Sequence, residues 1–94
     1  MVLAFDPCFK DAILSGAKRS TVRKMAKASV GDRFVFEGQE FEITLVQSSF
    51  LVYTLDFFED DGFQCRQEMY DFLLKYYPDL KMGSIVWIHF FRAV

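Results

Sequence analysis

Cysteine, proline and histidine are scarce in this chain of 94 residues, which has two cysteines, two prolines and one histidine. Cys8 and Cys65 are too few and too far apart in sequence for a disulfide framework or a zinc site, so we expect reduced thiols. His89 lies in an apolar run, which is more typical of a hydrogen-bonded core histidine than of a catalyst. The acidic run 59–61 lacks the further ligands that a metal site needs. We therefore expect neither a metal nor a cofactor.

Long apolar runs and linkers are also missing. No window approaches the roughly 20 apolar residues of a membrane span, and the N-terminus lacks the basic start and long apolar core of a signal peptide. There are no repeats and no stretches rich in Pro, Gly or Ser. Because 52% of the residues are hydrophobic and 18% are aromatic, a core can form without crosslinks. These features predict one soluble domain over residues 1–94, in the cytoplasm and without a membrane partner.

Short apolar segments predict a chain rich in β-strands. The candidate strands are 2–5, 20–24, 33–38, 41–47, 49–55 and 85–91. Within 41–47 the alternation places Phe41, Ile43 and Leu45 on one face. The run 85–91 is apolar on both faces and predicts a buried central strand. The acidic segment 56–63 predicts a loop.

Two helices are predicted from capping residues and apolar spacing. Asp6 as N-cap and Pro7 at the first helical position begin the first helix, and Gly16 can end it. The second helix, which Pro78 stops, carries one apolar stripe of Met69, Phe72, Leu73, Tyr76 and Tyr77. Cys65 stands at its capping position, where a thiol is a poor acceptor. Several strands with two short helices predict an α+β domain, a small barrel with helices at its rim.

Positive charge is concentrated in one segment of a chain whose formal net charge is −2. No acidic residue lies between Ala12 and Gly31, a window that contains Lys18, Arg19, Arg23, Lys24 and Lys27. Such a segment is typical of a surface that binds phosphate or nucleic acid. Two alternatives stay open: a merely solvated surface, and contact with a protein partner of opposite charge.

The order of short motifs resembles the ASCH domain. Gly16-x-Lys18-x-x-Thr21-x-Arg23 follows "AILSG", and after it come "VGD", an acidic "DGF", a helix ending in "YP" and a final apolar strand. The resemblance implies a small PUA-like mixed β-barrel associated with RNA. It also implies a cleft lined by the motif, which accepts RNA or a nucleotide-like ligand.

Some small bacterial ASCH proteins are amidohydrolases of acetylated cytidine, with a Lys, a Thr and a Glu as working residues. Lys18 and Thr21 match the first two. Asp61 is the best counterpart of the Glu, with Asp60 or Glu59 as alternatives, and an Asp is one methylene shorter. By this resemblance Thr21 would be the nucleophile. Lys18 would be the base if burial and cationic neighbours lower its pKa, and Asp61 could orient a water.

The binding interpretation, which we favour from the sequence, needs fewer assumptions. Arg23 is suited to grip a phosphate with two donors, and Lys18 or Lys24 can supply point charge. Arg19 and Ser20 belong to the same predicted contact segment, and Tyr53 and Phe63 are the candidates for stacking on a base. The ligand, catalysis as opposed to binding alone, and a monomer as opposed to a homodimer all stay open.

Overall fold

The computed structural model describes residues 3–94. Four strands form one curled antiparallel sheet, a half-barrel, in the order β1-β4-β3-β2. The strands are β1 Ser20–Arg23, β2 Arg33–Phe36, β3 Gln39–Phe50 and β4 Ile85–Ala93. The helices are α1 Lys10–Ser15, α2 Leu51–Thr54 and α3 Arg66–Tyr76, with 3₁₀ turns at Pro7–Phe9 and Leu55–Phe57. The predicted α+β class is confirmed, with three short helices in place of two. No helix within residues 3–94 is both long enough and apolar enough to span a membrane.

The last strand, β4, is the centre of the sheet, as its apolar sequence predicts. It pairs with β1 along one edge and with β3 along the other. Val86, Ile88 and Phe91 are buried in the core. Ile85, at the beginning of the strand, is 60% exposed. Both neighbours of β4 therefore depend on it for their position.

The first helix begins and ends as predicted. The Asp6 side chain accepts a hydrogen bond from the Cys8 amide at 2.9 Å, and Gly16 adopts a φ of 86° at the C-cap. The strand predicted for 2–5 is wrong over Leu3–Phe5, which are irregular, and Val2 lies outside the described residues. In this segment the Ala4 carbonyl accepts a hydrogen bond from the Arg23 guanidinium instead of from a neighbouring strand.

Two predictions fail around β3. A bulge between Ile43 and Leu45 shifts the alternation, so that Leu45 is 43% exposed instead of buried. The strand predicted for 49–55 ends at Phe50, and a helical segment follows. In that segment the buried residues are Leu51, Thr54 and Leu55, which is helical spacing. Short apolar runs fit either structure, and here burial against the core selects the helix.

The stripe predicted for α3 is only partly buried. Met69 and Leu73 are buried, but Tyr76 is 54% exposed and Tyr77 is half-buried. The last turn of the helix therefore extends past the core. At the other end, the Cys65 thiol makes no capping hydrogen bond, which agrees with the expected poor cap.

Candidate functional site

A cleft of about 380 Å³ opens beside the sheet, between the N-terminal segment, β1 and the last turns of α3. Its polar and charged lining includes Lys18, Thr21, Arg23 and Asp61. The aromatic rings of its walls are those of Phe5, Phe9, Phe72, Tyr76 and Tyr77. Sites for small molecules have volumes of about 300–1,000 Å³. The three residues predicted to be catalytic therefore line one cleft of the size of a small-molecule site.

Lys18 and Asp61 form a buried ion pair at this cleft. Each residue is 3% exposed, and Lys18 Nζ lies 3.4 Å from Asp61 Oδ1. The same ammonium donates to the Asp61 backbone carbonyl at 2.7 Å and lies 4.3 Å from the centroid of the Phe9 ring. Burial lowers the pKa of Lys18, against the attraction of Asp61, and burial raises the pKa of Asp61. Both shifts favour the neutral forms, and such perturbed groups in a cleft are candidates for function.

The structure distinguishes among the three acids of the loop 59–61. The Asp60 carboxylate pairs with Arg19 at 2.6 Å, and the Asp60 backbone carbonyl accepts hydrogen bonds from the amides of Arg19 and Ser20 at 2.7 and 3.1 Å. Glu59 is exposed. Of the three acids, Asp61 lines the cleft, and its Oδ1 accepts a hydrogen bond from the buried Ser20 hydroxyl at 2.9 Å. The loop therefore presents Asp61 to the cleft and uses Asp60 as an anchor.

Gly62 allows this loop to approach Lys18. Its φ is +91°, which residues with a side chain rarely adopt. A Cβ at this position would also lie 3.1 Å from Lys18 Cβ. The glycine of the "DGF" motif therefore has two structural reasons to be there, and both determine where Asp61 sits.

Thr21 and Arg23 share one face of β1, as expected for residues two apart in a strand. Arg23 donates to the Thr21 hydroxyl oxygen and to the Ala4 carbonyl at 2.7 Å. Thr21 is 2% exposed and Arg23 is half-buried. Within residues 3–94, no carboxylate lies within ion-pair distance of Arg23. The guanidinium therefore brings an uncompensated positive charge to the cleft.

His89 supports β1 from the neighbouring strand, directly opposite Thr21. Its Nε2 accepts a hydrogen bond from the Lys27 amide at 3.0 Å, so the proton must be on Nδ1, which lies 3.3 Å from the Thr21 carbonyl oxygen. The side chain is fully buried, and burial lowers its pKa. His89 is therefore a neutral core histidine that connects β1 to the basic loop after it.

A clasp between the N-terminal segment and the last turn of α3, formed by Asp6 and Tyr76, lies at the rim of the cleft. The Tyr76 hydroxyl donates to Asp6 Oδ2 at 2.5 Å, while Asp6 Oδ1 caps the first helical turn. The hydrogen bond from Tyr76 lowers the pKa of Asp6. Because the N-terminal segment is also held by Arg23, it lies across the site as a fixed outer wall.

Five of the residues predicted to contact a ligand lie outside the cleft lining. Arg19 is exposed and paired with Asp60, Lys24 is exposed on the loop after β1, and Tyr53 is 62% exposed on α2. Phe63 is buried behind the wall, with its ring centroid 5.5 Å from that of Phe9. Ser20 lies beneath the cleft and contacts it only through Asp61.

The sequence analysis missed most of the aromatic wall. Tyr76 and Tyr77 were assigned to the buried stripe of a helix, and Phe5 to a strand. One signal was present: tyrosines at the end of an apolar stripe, just before Pro78, are amphipathic and suit a surface with one polar side.

The fold is similar to that of a solved ASCH domain from Lactobacillus crispatus JV V101, with a TM-score of 0.64. The match covers 92% of this chain and 70% of that chain, at 17% sequence identity. This chain has the ASCH-domain fold. No family model matches the sequence, and no curated protein matches it significantly. The resemblance predicted from short motifs is confirmed for the ASCH fold, and the chemistry of the cleft has to come from the residues that line it.

Proposed function

We propose that the cleft binds a nucleobase, carried by a free nucleoside or nucleotide or by single-stranded RNA. The observation that carries the proposal is one small cleft in which a buried lysine, threonine and aspartate and a half-buried arginine face aromatic rings. A flat heterocycle needs apolar faces to stack on and hydrogen-bonding groups at its edge, and this lining offers both. The PUA-like fold that the sequence motifs imply is associated with RNA, which is consistent with this ligand class.

The polar groups of the cleft fall into two sets: a pair of opposite charge, Lys18 and Asp61, and the cationic Arg23. Lys18 and Asp61 supply a donor and an acceptor at the buried end, where the edge of a base would lie. Arg23 has no carboxylate partner in the described part of the chain and retains part of its donor capacity for a phosphate. Burial lowers the pKa of Arg23, so pairing with an anion would relieve an unfavourable burial. A nucleotide should therefore bind more tightly than its nucleoside.

The test is a calorimetric titration with cytidine, uridine, adenosine and guanosine and with their 5′-monophosphates. Arg23→Gln should weaken the monophosphates by about tenfold or more, since charge-assisted hydrogen bonds contribute about 1.5–3 kcal/mol. The nucleosides should be affected less. Arg92→Gln, at an exposed arginine far along β4, is the matched control. Equal weakening by the two substitutions, or no binding of any of the compounds, would contradict the proposal.

A second candidate function is hydrolysis of an acylated nucleoside, such as acetylated cytidine. The observation that favours it is the buried Lys18–Asp61 pair beside Thr21, in which burial lowers the pKa of Lys18, the direction that a general base requires. Thr21 Oγ1 would attack the amide carbonyl and pass its proton to Lys18. The amine would leave with a proton, and water would then cleave the acyl ester. Arg23 donates to Thr21 Oγ1, so it would orient this oxygen and favour the loss of its proton to Lys18.

Chromatographic release of cytidine from acetylated cytidine tests this candidate. Thr21→Val should abolish turnover while leaving binding of the substrate within a few-fold. Thr44→Val, at an exposed threonine on β3, is the matched control. Full turnover by a folded Thr21→Val protein would remove Thr21 as nucleophile, and no turnover by the wild type would leave binding as the function.

A further inference from the structure

We infer that the cleft is one end of a longer surface for single-stranded RNA, which continues over the exposed part of the sheet. This surface, termed the sheet strip, runs from Arg23 past Trp87 to Phe50 and Ile85, with Tyr53 beside it. The inference rests on the proposed function, because the strip would hold the nucleotides that flank the base in the cleft.

The strand register places these residues on one face. Arg23 is opposite Trp87 on β4, and Trp87 is opposite Ser48 on β3. Directly paired residues lie on the same side of a sheet, and so do residues two apart in a strand. The next pair on this face is Phe50 and Ile85. With strands about 4.8 Å apart, the row from Arg23 to Ser48 is about 10 Å wide.

The far end of the strip is exposed and aromatic. Phe50 is 49% exposed, Ile85 60% and Tyr53 62%, and the Phe50 and Tyr53 ring centroids lie 6.4 Å apart. Trp87 is half-buried between this patch and the cleft. Exposed aromatic rings on a sheet face are the usual platform on which unpaired bases stack.

Charge favours a polyanion as the occupant over a second copy of this chain. Half of the exposed lysines and arginines in residues 3–94 pair with a carboxylate, namely Lys10, Arg19, Arg33 and Arg92. The other four, Lys24, Lys27, Lys75 and Lys81, keep their positive charge uncompensated. Lys24 and Lys27 are exposed, and neither is within ion-pair distance of an acid anywhere in 3–94. Both lie on the loop that follows Arg23. A second copy could cover the aromatic patch, but phosphates would also satisfy these two charges.

Trp87 is the chain's single tryptophan, so its fluorescence reports on the middle of the strip. The experiment compares uridine monophosphate with oligouridylates of two to eight nucleotides at fixed salt. We expect the longer oligonucleotides to quench Trp87 and to bind at least tenfold tighter than the mononucleotide, since each stacked base adds about tenfold.

Variants at exposed positions separate the strip from the cleft. Phe50→Ser with Tyr53→Ser should return oligonucleotide affinity towards that of the mononucleotide and leave the mononucleotide unaffected. Val35→Ser, at a residue 69% exposed on β2, is the matched control. Lys24→Gln with Lys27→Gln should reduce the slope of log affinity against log salt by about 1.4, at about 0.7 for each phosphate contact to a single strand. Lys10→Gln, at an exposed lysine on α1 that pairs with Glu37, should leave the slope unchanged.

The outcomes distinguish the two proposals. Mononucleotide binding without any gain for longer oligonucleotides would overturn the sheet strip and leave the proposed function standing. A gain that survives the Phe50 and Tyr53 substitutions would also overturn it. Binding of neither probe would overturn both. Sedimentation showing a dimer that Phe50→Ser dissociates, with no effect of oligonucleotides on Trp87, would make the strip an interface between copies and refute RNA as its occupant.

Discussion

Replacing Lys18 with methionine should destabilise the protein more than replacing Lys18 and Asp61 together. Methionine fills the space of the lysine stem but leaves the Asp61 carboxylate buried, with the Ser20 hydroxyl as its remaining side-chain donor. Removing one partner of a buried ion pair costs about 3–5 kcal/mol, a large part of the 5–15 kcal/mol by which domains are typically stable. The double variant, Lys18→Met with Asp61→Asn, removes both charges. It should lose only about 1 kcal/mol, because the Asp61 carbonyl then lacks its lysine donor.

Urea denaturation at pH 7 of the wild type, the two single variants and the double variant measures this coupling. Each single variant should cost about 3–5 kcal/mol and the double variant about 1 kcal/mol, so the coupling energy between positions 18 and 61 should be about 5 kcal/mol or more. Single-variant effects that add to within about 0.5 kcal/mol would refute the ion pair as a coupled buried unit. The double variant serves a second purpose, because it should be folded and yet have lost ligand binding or turnover. That result would mean that the ion pair is needed for binding or catalysis and not for folding.

Three further predictions concern the surroundings of the site. Gly62→Ala should lower the free energy of unfolding by about 1–3 kcal/mol and weaken ligand binding, because a side chain there strains the backbone and crowds Lys18; an unchanged urea midpoint would contradict this. Burial lowers the pKa of His89 below 6.5. The stability contributed by the neutral, buried imidazole is therefore complete above pH 6.5 and is lost as the pH falls through the lowered pKa. The free energy of unfolding, measured from pH 7 to pH 4, should fall less steeply in His89→Gln. Cys65→Ser should raise the thermal midpoint by supplying the missing helix cap, worth about 0.5–1 kcal/mol, whereas Cys8→Ser should not.

Local sequence signals predicted the elements that local forces determine. The first helix followed from Asp6, Pro7 and Gly16 because capping acts within a few residues. The central strand followed from a run that is apolar on both faces. The helix after Phe50 could not be predicted in this way, since its apolar run has no clear period. The predicted burial of Leu45 was wrong because a bulge arises from the pairing between two strands. It leaves no signature in the apolar alternation of a single strand.

The site was predictable to the extent that it is contiguous in sequence. Lys18, Thr21 and Arg23 lie within one short motif, and the structure brings all three to the cleft. Asp61 comes from a loop 43 residues later, so its choice over two neighbouring acids required the tertiary contact. The clasp between Asp6 and Tyr76 spans 70 residues. No periodicity or capping rule relates positions that far apart, which is why the aromatic wall was missed.

The gathering of positive charge in an acidic chain has a physical explanation that differs from one residue to the next. Lys18 is buried and paired with Asp61, so its charge is compensated inside the site. Arg19 anchors the acidic loop through Asp60. Arg23 faces the cleft, and Lys24 and Lys27 stay exposed on the following loop. In the sequence these residues suggest one basic surface. In the fold, Lys18 belongs to a buried ion pair and Arg19 holds the acidic loop, so the exposed positive charge comes from the residues that follow. The uncompensated charge of the segment therefore lies at the cleft and just beyond it, which is where the phosphates of a bound nucleotide strand would have to run.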